Sequence, residues 1–370
     1  MPADAKQRLA YIDWMRGLAC LVMFQTHCYD SWLGPSARQT TFFKWSQLGG
    51  TLPAPLFLFL AGISFAMVTD RMRERGASGN ETARATIKRG AEILALGFLF
   101  RVWEFVLGLP NSPWTDLLRV DILNMIGLSM IAMGCACWLT AKIWADAPAP
   151  VLRVRNLAVA AGSAFVIALF TPPLWSTWRP RWLPWYLESY INGVHIFGKP
   201  QPWLFPFFPW AGFAFAGLAA GFFLMTPWAR TQPAKAIAML AVVGAAIAGI
   251  AWWADSLPLQ LYADYDFWHT SPNFFLIRVG VVLGILLIAY VWCRWGAGQW
   301  GFSPLIQMGQ TSLLVYWVHI EFVYGRFSIL TKHGETIPRA SLGLLTIFVS
   351  MVLLSIARGR WKRWKSARAT

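Results

Sequence analysis

The sequence predicts an all-α, polytopic integral membrane bundle of about ten transmembrane helices, with residues 1–370 forming a single domain. Three observations point there. Hydrophobic residues make up 57% of the 370 and charged ones only 13%, a balance unlike that of soluble domains. Ten apolar stretches of near-bilayer length follow one another along the chain. Trp (23) and Phe (26) are heavily used, and Trp favours membrane–water interfaces. No long polar stretch remains that could fold as a separate soluble domain.

The first span, 11–29, carries Asp13, Arg16 and His27 and lacks a clear small-residue cleavage site, so it reads as a span and not as a cleaved leader. The span 53–70 is uninterrupted. The third, 90–108, holds Arg101 and Glu104, three residues apart and on one helical face. The fourth, 118–140, opens on Arg119 and Asp121. The spans 156–175 and 203–226 carry no charged residue, and 235–254 carries only Lys235 at its start. The eighth, 273–293, has Arg278 in its first turns, and the ninth, 305–324, ends on His319 and Glu321. The tenth, 340–357, runs into a basic tail.

The formal net charge is +15. Its distribution excludes a nucleic-acid partner as its main meaning. Connections on one side, beginning with Lys6 and Arg8 and including the basic loop 71–89, hold twenty Lys and Arg, against nine on the other side. The positive-inside rule then puts both termini in the cytoplasm of a cell inner (plasma) membrane, in keeping with an even number of spans. The same charges are suited to anionic membrane lipid. The opposite connections are aromatic: Pro172–Pro202 carries Trp175, Trp178, Trp182 and Trp185, and Asp255–Pro272 carries Asp264, Asp266, Trp268 and His269. These rings form an interfacial belt or a platform for sugar stacking.

Arg16 and His27 are eleven residues apart, which is about 16 Å along a helix and close to three full turns. They share a face, with Asp13 and Cys20 near the same stripe. Ionisable groups at two depths of one membrane helix are costly and mark function. With the topology above, His27, Arg101, Glu104, Arg119, Asp121, Arg278, His319 and Glu321 fall at similar depth, which predicts a polar chamber in the outer half, approached from the cytoplasm past Arg16. Each has a blander role: Arg101–Glu104 as a structural pair, Arg278 as a snorkelling cation, His319 as a packing hydrogen-bond donor. The five cysteines read as small packing residues. No metal-ligand spacing is present, and no metal is expected. Nothing in the sequence fixes the oligomeric state; a homodimer is compatible with it.

The segment RLAYIDWMRGLACLVMFQTH (8–27) resembles the opening of the transmembrane acyltransferase superfamily, whose members begin with an R-x-x-x-I-D-x-x-R-G-L-A-like helix. The bacterial acyltransferases of surface polysaccharides keep an Arg-x10-His pair, here Arg16 and His27. PAPLFLFLAGISFAM (53–67), RVDILNMIGLSMI (119–131), FPFFPWAGFAFAGLAAG (205–221) and MGQTSLLVYWVHI (308–320) resemble, in order, the branch containing the catalytic domain of heparan-α-glucosaminide N-acetyltransferase. The resemblance implies transfer of an acyl group, commonly acetyl, from cytoplasmic acyl-CoA to the sugar hydroxyl or amine of an extracytoplasmic glycan or lipid-linked sugar. It implies His27 as the catalytic residue and Arg16 as a donor-binding or site-holding residue. In the heparan branch the corresponding histidine lies after the first span. Residues 28–52 hold none here, so either His27 takes the role or the chemistry differs.

A thioester is already activated, so the acceptor needs deprotonation as it attacks, which suits a histidine as general base. Arg101, Arg119 or Arg278 are candidate oxyanion donors, and Asp121 or Glu104 are candidates to orient the imidazole. His27 acting as an acyl carrier is the alternative. The basic loop 71–89 is a candidate dock for the phosphates of coenzyme A. A transporter or flippase with a charged cavity, and a non-catalytic scaffold, are the competing classes.

Overall fold

The computed structural model describes residues 9–178, 180–193, 205–258, 261–263, 265–296 and 301–368; Lys6, Arg8 and Asp264 lie outside them. The described residues are helical apart from turns and one isolated parallel bridge, Leu33 to Glu335. In chain order the helices are α1 (Ala10–Trp32), α2 (Pro35–Arg38), α3 (Thr41–Gly49), α4 (Pro53–Glu74), α5 (Gly79–Leu107), α6 (Ile122–Ile143), α7 (Ala149–Ser176), α8 (Trp185–Asn192), α9 (Phe207–Leu224), α10 (Pro227–Thr231), α11 (Pro233–Asp255), α12 (Pro272–Trp295), α13 (Pro304–Gly309), α14 (Ser312–Val323) and α15 (Ile337–Ala367). A 3-10 turn, Trp114–Leu118, precedes α6.

Among the described residues, seven helices are long and apolar enough to cross a membrane. The chain is an all-α, polytopic membrane protein. Each expected span coincides with helix, but not always with one. The span 305–324 is two helices, broken at Gln310–Thr311. The break frees backbone groups that must be satisfied elsewhere. Ser355 of α15 does this: its hydroxyl donates to the Gln307 carbonyl (2.7 Å) and accepts from Thr311 (2.6 Å), while the Gln307 amide reaches the Ser355 carbonyl (3.1 Å).

The basic stretch 71–89 is not a loop, as expected, but the ends of two helices with a short link. α4 continues to Glu74, and α5 starts at Gly79 on a capping box in which Ser78 accepts from the Glu81 N–H and the Glu81 carboxylate accepts from the Ser78 N–H. Such a box nucleates a helix within a polar sequence, so helix extends well beyond the apolar run. Short helices α2, α3 and α8 likewise occupy connections that hydropathy left without structure.

The helices divide into two compact units. The first comprises Met1–Leu56 and Ile285–Thr370. Here α1 is clasped by α13, and glycine sets the distance: a Cβ on Gly17 would lie 1.9 Å from the Leu305 carbonyl oxygen, and one on Gly309 would lie 1.8 Å from that of Asp13. Only the absence of a side chain lets the backbones meet, the usual device where helices pack without water to drive them. Trp32 is fully buried at the other end of α1, its indole N–H on Ser328.

The second unit, Phe57–Gly284, repeats the device. A Cβ on Gly62 of α4 would lie 2.0 Å from the Ala214 carbonyl oxygen, and one on Gly217 of α9 would lie 1.9 Å from that of Phe59. At the end of α4, buried Asp70 accepts from Arg153 of α7 (2.8 Å) and Arg230 of α10 (2.6 Å), and Glu74 accepts from Arg230 (2.7 Å). Sequence reasoning counted these arginines only as topology signals. An acidic residue ending an apolar helix was the signal that could have found the network.

Candidate active site

The first unit holds the histidine pair. His27 sits in the last turns of α1, half-buried, and His319 in α14, with no exposed surface. Nδ1 of His27 and Nε2 of His319 are 3.0 Å apart. The ring centres are 5.2 Å apart and the planes differ by 13°. That centre separation is the nitrogen–nitrogen distance plus the two ring radii, so the rings meet edge to edge in one plane, in line for a hydrogen bond.

The proton positions follow from the next contact. His319 Nδ1 lies 3.0 Å from the Val315 carbonyl oxygen. A carbonyl can only accept, so Nδ1 carries the hydrogen and Nε2 of the neutral ring is an acceptor. His27 therefore donates from Nδ1, which makes its Nε2 the basic nitrogen. The expectation that His319 is a donor in packing holds for Nδ1; at Nε2 it receives. The group on His27 Nδ1 is a second histidine.

Surrounding groups hold the pair in place. Phe24 packs on His319 with centroids 4.7 Å apart, and Tyr324 presents its ring to His27 at 5.2 Å. The Tyr324 hydroxyl donates to Asp30 (2.8 Å), whose other oxygen accepts from Arg38 (3.1 Å). Neither Asp30 nor Tyr324 was singled out from sequence; Asp30, three residues beyond His27, was the available hint. Arg16 lies on α1 eleven residues before His27 and donates to buried Asp13 (3.1 Å) at the α1–α13 crossing. Glu321 is buried in α14 close to His319 in sequence.

The second unit holds the other charged candidates. Arg101 is buried and bridges two carboxylates, Glu104 one turn on and Asp121 (3.1 Å). Asp121 is also the N-cap of α6, its Oδ1 accepting from the Ile122 N–H at 2.6 Å. Both of its oxygens are thus engaged. Arg119 is half-buried at the end of the 3-10 turn. Arg278 does not snorkel: it is 6% exposed, enclosed by the rings of Phe274 (4.4 Å), Phe213 (5.0 Å) and Trp210 (5.5 Å). A guanidinium over aromatic faces is held by their quadrupoles.

In the connection before α12, the Asp266 carboxylate pairs with His269 (2.6 Å) and accepts from the Trp268 N–H (2.9 Å). Partial burial pushes this carboxyl up, but the His269 hydrogen bond and charge outweigh it and hold it below its ordinary range. Trp268 is 54% exposed and packs against Phe267 and Phe274.

A comparison with curated proteins gives no match. Residues 8–251 match the family model described as heparan-alpha-glucosaminide N-acetyltransferase, catalytic. The matched stretch includes Arg16, His27, Arg101, Glu104, Arg119 and Asp121; Arg278 and His319 lie beyond it. With well over half of its length matched and its apolar helices, the chain belongs to the heparan-alpha-glucosaminide N-acetyltransferase catalytic-domain family and is a membrane-bound transferase.

Proposed function

We propose that this protein transfers an acyl group, acetyl in the first instance, from cytoplasmic acyl-CoA to the amine or hydroxyl of a glycan on the other side of the membrane, with His27 as general base. The observation that carries this reading is the His27–His319–Val315 chain, which leaves the His27 basic lone pair on Nε2. Nε2 takes the acceptor's proton as its nitrogen or oxygen attacks the thioester carbonyl. The tetrahedral intermediate collapses, the carbon–sulfur bond breaks, and coenzyme A leaves as thiolate, reclaiming the proton from His27. His319 is a positioning residue. Arg16, neutralised by Asp13, is assigned to the donor.

In the second unit we assign Arg101, Arg119 and Arg278 to substrate binding, with Glu104 and Asp121 fixing the orientation of Arg101. Asp121 is given this task because both of its oxygens are already committed. The excess of basic residues on alternate connections supports cytoplasmic termini in a plasma membrane.

The test is acyl transfer by purified protein, using radiolabelled acetyl-CoA and amino-sugar or polysaccharide acceptors. His27→Ala is expected to lower kcat by about a hundredfold or more with unchanged expression and helical content. Retained turnover in that variant overturns the assignment. Movement of a glycan across vesicles without acyl chemistry would instead identify a transporter.

A further inference from the structure

We infer that the basic end of α15 and the break between α13 and α14 form a binding pocket for the phosphate headgroup of an anionic phospholipid. The two segments line an open cleft of about 800 Å³, a size suited to a small ligand or headgroup. Gln307, Thr311 and Ser312 line one wall; Arg358, Lys362 and Lys365 line the other, and no carboxylate lines either. Among the described residues none of these three cations forms an ion pair with an acidic side chain.

The cations are arranged and not merely abundant. Trp361 lies between Arg358 and Lys365, with the guanidinium 4.8 Å and the ammonium 6.0 Å from its ring centres. Spaced three and four residues apart, Arg358, Trp361 and Lys365 share one side of the helix. The N-terminus of α14 opens at the same place without a side-chain cap; the Thr311 hydroxyl donates to Ser355. Its first backbone N–H groups add positive potential.

Two features favour a lipid over a soluble phosphate compound. The Ser355–Gln307–Thr311 hydrogen bonds tie α15 to the break one turn before Arg358, so both walls are held together at the apolar end of the cleft. The apolar run of α15 ends at this same turn, so the cations stand where a bilayer meets water. Trp361 and Trp364, each 52% exposed, mark that level. A headgroup phosphate enters such a pocket from the side while its chains remain in the bilayer. This inference is independent of the acyl-transfer proposal.

The experiment uses purified full-length protein in detergent, with dioleoyl phosphatidylglycerol and phosphatidylcholine as probes, read by native mass spectrometry and thermal unfolding. Phosphatidylglycerol is expected to be retained in preference to phosphatidylcholine and to raise Tm. Arg358→Gln/Lys362→Gln/Lys365→Gln should reduce that preference at least about tenfold and leave the lipid-free Tm unchanged, since all three side chains are exposed. Arg360→Gln/Arg363→Gln, on the same helix but outside the pocket, should behave as wild type. Equal retention of both lipids, undiminished phosphatidylglycerol binding in the triple variant, or equal loss in the control variant overturns the inference. Displacement of phosphatidylglycerol by free coenzyme A would assign the pocket to a nucleotide instead.

Discussion

The Val315 carbonyl oxygen lies one helical turn before His319 and 3.0 Å from its Nδ1. That single contact sets the hydrogen-bond direction across the pair and so the tautomer of His27. It follows that His319 can be replaced only by a side chain offering an acceptor in the same place.

His319→Gln, whose amide oxygen can take the His27 proton, is expected to keep more activity than His319→Ala. The alanine variant should lower kcat by about tenfold to a hundredfold and shift the pH profile of kcat/KM; the cavity it leaves at this buried position lowers Tm as well. Identical kinetics for the two variants would reduce His319 to packing. Acid-quenched single turnovers without acceptor add a second readout: label retained on the protein, and lost in His27→Ala, would show an acyl-histidine route.

Arg16→Ala should raise the apparent KM for acyl-CoA by about tenfold with a smaller effect on the KM for acceptor. The same substitution leaves buried Asp13 without its cation. Arg16→Lys, which keeps the charge, separates donor binding from that structural loss: it should restore Tm but only part of the donor affinity. Full recovery of KM in the lysine variant would show that Arg16 serves the donor through its charge alone.

Asp70→Asn is expected to destabilise the second unit by up to about 3 kcal/mol, because buried Arg153 would keep only its longer contact to Glu74 (3.7 Å). Thermal unfolding in detergent reads this. Asp70→Asn combined with Arg153→Met should recover part of the loss, which a purely additive pair of defects would not do.

Acid should weaken the Asp266–His269 turn. The Asp266 carboxyl titrates lower when folded than when unfolded, so its stabilisation is complete above the unfolded value of about 3.9 and is lost as the pH falls through the lower folded value. Asp266→Asn should flatten the dependence of Tm on pH below about 4. An unchanged slope would show that the pair contributes nothing.

The sequence was sufficient wherever the relevant geometry lies within one helix. Arg16 and His27 fall on one face because of helical period alone, and Arg101 and Glu104 adjoin for the same reason. Asp13 beside Arg16 was legible too. The spans were legible because hydrocarbon thickness demands a fixed apolar length. Helix ends were less so: the Ser78–Glu81 box extends α5 into polar sequence, and Asp121, taken as a possible partner of the imidazole, begins α6 as its cap.

Periodicity and bilayer thickness thus fixed, from residue order alone, an all-α membrane protein with a histidine and an arginine on one face of its first helix. Tertiary structure alone decided that His27 meets His319, 292 residues away, and that Asp70 gathers Arg153 and Arg230. Within a helix the covalent chain dictates which side chains adjoin; between helices it is side-chain-free crossings such as Gly17 on Leu305 that choose register and partner, and no local rule encodes them.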